Sequence, residues 1–129
     1  MKTMFKKLLL FFVLILASCG QAAQSESLTS GIEVQVFVGP MCPVMQVGVD
    51  CPDQPYQAEI TVLDPYKQEV LSFKTNEDGT YTVKLPPGKY ILRPKSPAGS
   101  SLPYASEQNF EVLPNQMTQL IVMYDSGIR

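Results

Sequence analysis

A chain of 129 residues has room for one domain, and this one contains no histidine. That removes Ser-His-Asp and Cys-His catalysis, imidazole metal sites and the commonest general base. Three of its 10 Lys+Arg are Lys2, Lys6 and Lys7; the remainder sets 7 against 12 Asp+Glu, a net −5 that phosphate backbones repel, so nucleic acid is excluded as a partner.

Those lysines precede an uninterrupted apolar run, Leu8 to Ala17. A bilayer core of roughly 30 Å needs ~20 apolar residues, so a run of this length is too short to span it. With basic residues before it and small ones after, it reads as the hydrophobic part of a secretory signal. The closing Leu16-Ala17-Ser18-Cys19 resembles the lipobox of bacterial lipoproteins. The resemblance implies that residues 1–18 are a signal peptide, that the Cys19 thiol carries diacylglycerol, and that palmitate-type acyl chains hold the mature chain to the outer side of a membrane. Each buried CH₂ contributes ~0.8 kcal/mol, so two or three chains anchor without a spanning helix. The alternative is an ordinary signal peptide with a chance cysteine behind it. Gly20 is not the aspartate that retains such proteins in an inner membrane, which implies the outer membrane in a two-membrane host.

Residues 19–30 continue small and polar, without hydrophobic period, and read as a flexible tether. From residue 31 to 129 the pattern is period two throughout. Ile32, Val34, Val36 and Val38 alternate in a first predicted strand, and Ala58, Ile60 and Val62 in a second. Val70 to Thr75 supplies a third, Tyr81, Val83 and Leu85 a fourth, Tyr90 and Leu92 a fifth, Phe110 and Val112 a sixth. Thr118 to Tyr124 is the last, with Leu120, Val122 and Tyr124 on one face and Ile121 and Met123 on the other.

The connectors carry turn chemistry. Asn76-Glu77-Asp78-Gly79 ends in a pair suited to positive φ and predicts a hairpin. Pro86-Pro87-Gly88 predicts a tight reversal, because proline cannot continue a central ladder. Ser96 to Ser106 and Pro114-Asn115-Gln116 read as loops. About seven short strands at this spacing, with 11 prolines mostly between them, predict a single antiparallel β-sandwich.

With Cys19 assigned to lipid, Cys42 and Cys51 remain. Outside the cytoplasm such a pair persists as a disulfide, and closing a ten-residue loop contributes about 2.5–3 kcal/mol in the chain-entropy picture. A free thiol pair for redox chemistry or metal is the alternative, though the spacing is far from Cys-x-x-Cys.

Asp78, Gly79, Tyr81, Val83, Leu85, Pro86, Gly88 and Tyr90 together resemble the acidic-Gly turn, alternating strand and Pro-Gly-x-Tyr turn of carboxypeptidase regulatory-like domains. Those domains are prealbumin-like (Ig-like) β-sandwiches. The Cys-Pro loop Gly39 to Val44, the run Cys51 to Tyr56 and the ending Tyr124 to Arg129 are similar to a small lipoprotein subgroup of that superfamily. The resemblance implies the fold and is silent on function: every matching residue turns or packs a sandwich.

For chemistry, scattered carboxylates such as Glu59, Asp64 and Glu69 read as the solvated face of a hairpin rather than a glycosidase pair. Asp50 and Asp53, or Glu77 and Asp78, offer oxygen ligands to calcium without the spacing of an EF-hand loop. Met41, Cys42 and Met45 would suit Cu(I) only if Cys42 were reduced. A cross-strand Lys–Asn isopeptide bond lacks its lysine in 32–38 and its asparagine in 117–124. No cofactor, metal or catalytic residue is therefore assigned. Binding remains. Tyr56, Tyr66 and Tyr104, each behind a proline, could stack on a sugar or anchor a protein, or else cap the ends of the sandwich. The stapled loop 42–51 could serve the same end. The expectation is a non-enzymatic cell-envelope module for a protein partner, or alternatively a carbohydrate-binding one.

Overall fold

The computed structural model describes residues 28–44 and 46–129. The proposed signal peptide, Cys19 and most of the tether lie outside the described residues, as does Met45. The described chain forms eight strands in two four-stranded sheets: β1 (Gly31–Gly39), β2 (Gln54–Pro55), β3 (Glu59–Leu63), β4 (Glu69–Lys74), β5 (Thr80–Lys84), β6 (Gly88–Pro94), β7 (Gln108–Val112) and β8 (Met117–Asp125).

In β1 the alternation buries Ile32, Val34 and Val36 and turns Glu33 outward. One flank of β1 pairs with β5, from Gly31↔Lys84 to Gln35↔Thr80, and then with the two-residue β2 at Phe37↔Pro55 and Val38↔Gln54. Its other flank pairs with β8 along nine residues, Gly31↔Met117 to Gly39↔Asp125. The second sheet runs β4-β3-β6-β7, all antiparallel, with a bulge between Val62 and Leu63.

Three features differ from the sequence expectation. There are eight strands rather than about seven, because Gln54–Pro55 is too short to show a period. The β1–β8 pair is parallel; first and last strands can lie parallel because the whole intervening chain serves as their crossover. Asn76–Gly79 does not close a hairpin between paired neighbours. It carries the chain from β4 in one sheet to β5 in the other, as Pro86-Pro87 carries it back to β6.

The core lies between the sheets. Ile32, Val36, Ile60, Val62, Leu85, Leu92, Val112, Val122 and Tyr124 are buried essentially completely, each aliphatic side chain contributing ~1.5–3 kcal/mol. Phe73 of β4 stacks on Tyr81 of β5 at 4.7 Å between centroids, an aromatic contact across the two sheets. The buried hydroxyls are used: Ser30 donates to the Leu85 carbonyl at 2.7 Å, and Thr75 Oγ1 accepts the Ala58 N–H at 2.9 Å. Among the described residues no buried side-chain polar atom lacks a partner.

Candidate functional site

The two ends of the sandwich differ in chemistry. The chain enters β1 at Ser30 and Gly31, beside Leu85, Pro86 and the 113–116 loop. This proximal end also holds the β3–β4 turn, which leaves Leu63 and is built by Asp64: its Oδ1 accepts the N–H groups of Tyr66 and Gln68, both at 2.9 Å. The distal end collects loop 40–53, loop 95–107, the C-terminus and the Asn76–Gly79 turn.

Loop 40–53 leaves β1 at Gly39 and returns as β2. Cys42 and Cys51 are joined in a disulfide across it. With Cys42 so bonded, the Cu(I) arrangement has no thiolate; Met41 is exposed and Met45 is outside the described residues. Val44, Val47 and Val49 stand in solvent, Val47 with its whole surface free. The C-terminus braces the loop's base: Ser126 N–H donates to the Gly39 carbonyl at 2.9 Å and Ser126 Oγ to that of Pro40 at 2.6 Å.

The three tyrosines do not share one surface. Tyr56 precedes β3 and Tyr66 follows it, so they lie at opposite ends of the molecule. Tyr56 is half-buried, edge-on to Tyr124 at 4.9 Å, and packs on the core. Tyr66 is 86% exposed and stands beside Pro65, which lines a shallow groove of about 480 Å³ with Lys89, Ile91, Asn109 and Glu111 on the outer face of the second sheet. Tyr104 is exposed at the distal end, its backbone bridging Asp125 at 3.0 and 2.7 Å. Outward-facing Ile121 and Met123 of β8 add apolar surface to the distal half. Their alternation was legible, but nothing local marked that face as uncovered.

The carboxylates whose acidity departs from the ordinary are held ionised. Asp78 is pulled down by the Thr80 hydroxyl and N–H, Glu107 by Arg93, and Asp125 to about 2 by the Arg129 guanidinium and the Gly127 N–H. A general acid needs the opposite shift. Asp78-Gly79 is thus occupied by its own turn, and no group of three His, Cys, Asp or Glu converges as a metal cage among the described residues. The adjacency of β1 and β8 is where a cross-strand amide would form, and neither strand carries a lysine or an asparagine.

No family model and no curated protein sequence matches the chain. Solved structures do. One is the Bacillus anthracis TIE protein, at 26% identity and TM-score 0.51 over 74% of this chain. Another is GBS52, the minor pilin of the Gram-positive pathogen Streptococcus agalactiae, at 8% identity and TM-score 0.55 over 75% of this chain. The chain spans 17% of the first and 44% of the second. Both are β-sandwich likenesses consistent with an Ig-like or prealbumin-type fold.

Proposed function

We propose that this chain is a non-catalytic interaction module of the bacterial cell envelope, lipid-anchored through Cys19 and carried on a short tether, and that its β-sandwich docks a protein partner. The carrying observation is an asymmetry of the sandwich: the chain enters at one end, where Tyr66, Val70 and Leu113 are exposed, while the larger set of exposed apolar loop residues, Met41, Val44, Val47, Val49, Leu102 and Tyr104, lies at the other. A domain tethered at its proximal end presents such loops away from the membrane. The likeness to a domain-sized part of a Bacillus anthracis protein and to a pilin supports a surface module. The division into signal peptide 1–18, tether 19–30 and domain 31–129 rests on the sequence; β1 starting at Gly31 supports the domain boundary, with Thr29 and Ser30 already bonded to the sandwich. The finer assignment to the carboxypeptidase regulatory-like domains rests on the Asp78-Gly79…Pro86-x-Gly88-x-Tyr90 string, and outer-membrane placement in a two-membrane host rests on Gly20.

The test is the intact mass of the protein purified from its native membrane, with crosslinking there beforehand. A mass starting at Cys19 with acyl chains, and one recurrent crosslinked protein, is the expected result. A soluble chain without acyl groups overturns the anchor; an anchored chain with no partner overturns the docking role.

A second reading has its own observation: Tyr66 stands free beside the groove of Pro65, Asn109 and Glu111, the pairing of aromatic and polar groups that sugars use. Saturable quenching of tyrosine fluorescence by a glycan, lost in Tyr66→Ala, would favour carbohydrate binding; a flat titration removes it.

A further inference from the structure

Resting on the protein-partner reading, we propose that the distal end is the docking surface, and that its partner is a protein presenting an apolar pocket inside a rim of lysine and arginine. Two independent properties of that end point there.

The first is apolar exposure on a stiffened element. Met41, Val44, Val47 and Val49 are all exposed on loop 40–53, within 14 residues, and Met123 and Tyr104 continue the surface down the end of β8. Scattered single apolar residues are ordinary on a protein surface; four exposed on one short loop, with two more on the strand end and bridge that meet its base, are a denser set than that. The Cys42–Cys51 bond and the Ser126 hydrogen bonds hold the loop before any partner arrives, which lowers the entropy lost on docking.

The second is charge. Loop 40–53 carries Asp50 and Asp53 and no basic residue, and the Asn76–Gly79 turn that flanks β2 adds Glu77 and Asp78. None of the four belongs to an ion pair among the described residues; the three pairs there are Lys67–Glu107, Arg93–Glu107 and Arg129–Asp125. The lysines at this end, Lys74 and Lys95, line a cleft with Tyr56 and Glu59 and pair with none of the four acids. Four acids without an ion pair, two on the loop and two on the turn at the same end, disfavour an anionic lipid surface and complement a cationic protein rim, which would steer association and fix its register. A second copy of this chain would bring the same acids face to face.

The experiment places a benzophenone amino acid at position 47 of the full chain in its native membrane, with position 66 at the opposite end as the control. The expected result is a single protein adduct from position 47 and none from 66. Its yield falls several-fold between low and high salt, and several-fold in Asp50→Asn/Asp53→Asn, whose melting temperature stays that of the parent. An adduct to lipid, to a second copy of the chain, or to a protein whose capture ignores salt and both substitutions overturns the proposal. A protein captured from position 66 and not from 47 overturns the surface while leaving the partner reading intact. No protein adduct from either position overturns both.

Discussion

The Tyr124 hydroxyl donates to the Lys95 carbonyl at 2.8 Å, tying the last strand of one sheet to the residue that follows β6 in the other. The ring is buried against Tyr56, and burial pushes its pKa well above the ordinary tyrosine value. Tyr124→Phe keeps the packing and leaves the Lys95 carbonyl without this donor, so it is expected to cost ~0.5–1.5 kcal/mol in urea denaturation at neutral pH. The sign with pH follows. A folded-state pKa raised above the unfolded value of ~10 gives stability that is present below pH ~10 and lost as pH rises beyond it. Tyr124→Phe should therefore lose less stability than the parent between pH 10 and 12; equal alkaline losses would show that Tyr124 does not drive them.

Asp125 works in the opposite direction. Arg129 reaches its two oxygens at 3.1 and 2.7 Å and the Gly127 N–H adds a third donor, holding its pKa at about 2. A depressed folded pKa gives stability that is present above the unfolded value, ~3.9, and lost as pH falls toward 2. Arg129→Ala should raise the Asp125 carboxyl pKa toward its ordinary value, followed by NMR. Because the pair is exposed, global stability near neutral pH should barely move.

Gly79 and Gly48 both have positive φ, +77° and +84°, but only Gly79 has a neighbour where a Cβ would go: the Val36 carbonyl. That carbonyl accepts the Tyr56 N–H at 3.1 Å, and the Val36 N–H donates to Gly79 at 2.9 Å, so this point joins β5 to β2 along one flank of β1. Gly48→Ala should cost ~1–2 kcal/mol from the left-handed backbone alone. Gly79→Ala adds the collision and should cost roughly 2–5 kcal/mol. Equal melting temperatures for the two variants would refute the junction.

The same residues mark what could be read before folding. Asp78-Gly79 announces a turn, since its chemistry is local, but a turn inside a sheet and one between sheets need the same positive φ, so its destination stayed hidden. Period two exposed the seven longer strands and the inward set Ile32, Val36, Val62 and Val122. The parallel β1–β8 register joins residues 86 apart, and no local pattern encodes it. Of the tyrosines, the exposure of Tyr66 agrees with its turn, whereas the half-burial of Tyr56 depends on Tyr124, a contact only the folded chain creates.

The disulfide separates stability from shape. None of the described residues of loop 40–53 belongs to the buried core, so Cys42→Ser/Cys51→Ser should leave the sandwich and its far-ultraviolet circular dichroism unchanged. What it removes is a constraint on the unfolded chain over a closed loop of about ten residues, about 2–3 kcal/mol in the entropy picture, read as a lower urea midpoint. The freed loop must then be ordered on docking, so capture from position 47 should weaken while the chain stays folded. A variant that binds as the parent does, at lowered stability, would make the bond a staple for the fold alone. A variant that loses its strand signal would place the loop inside the cooperative unit, despite the exposure of Val44, Val47 and Val49.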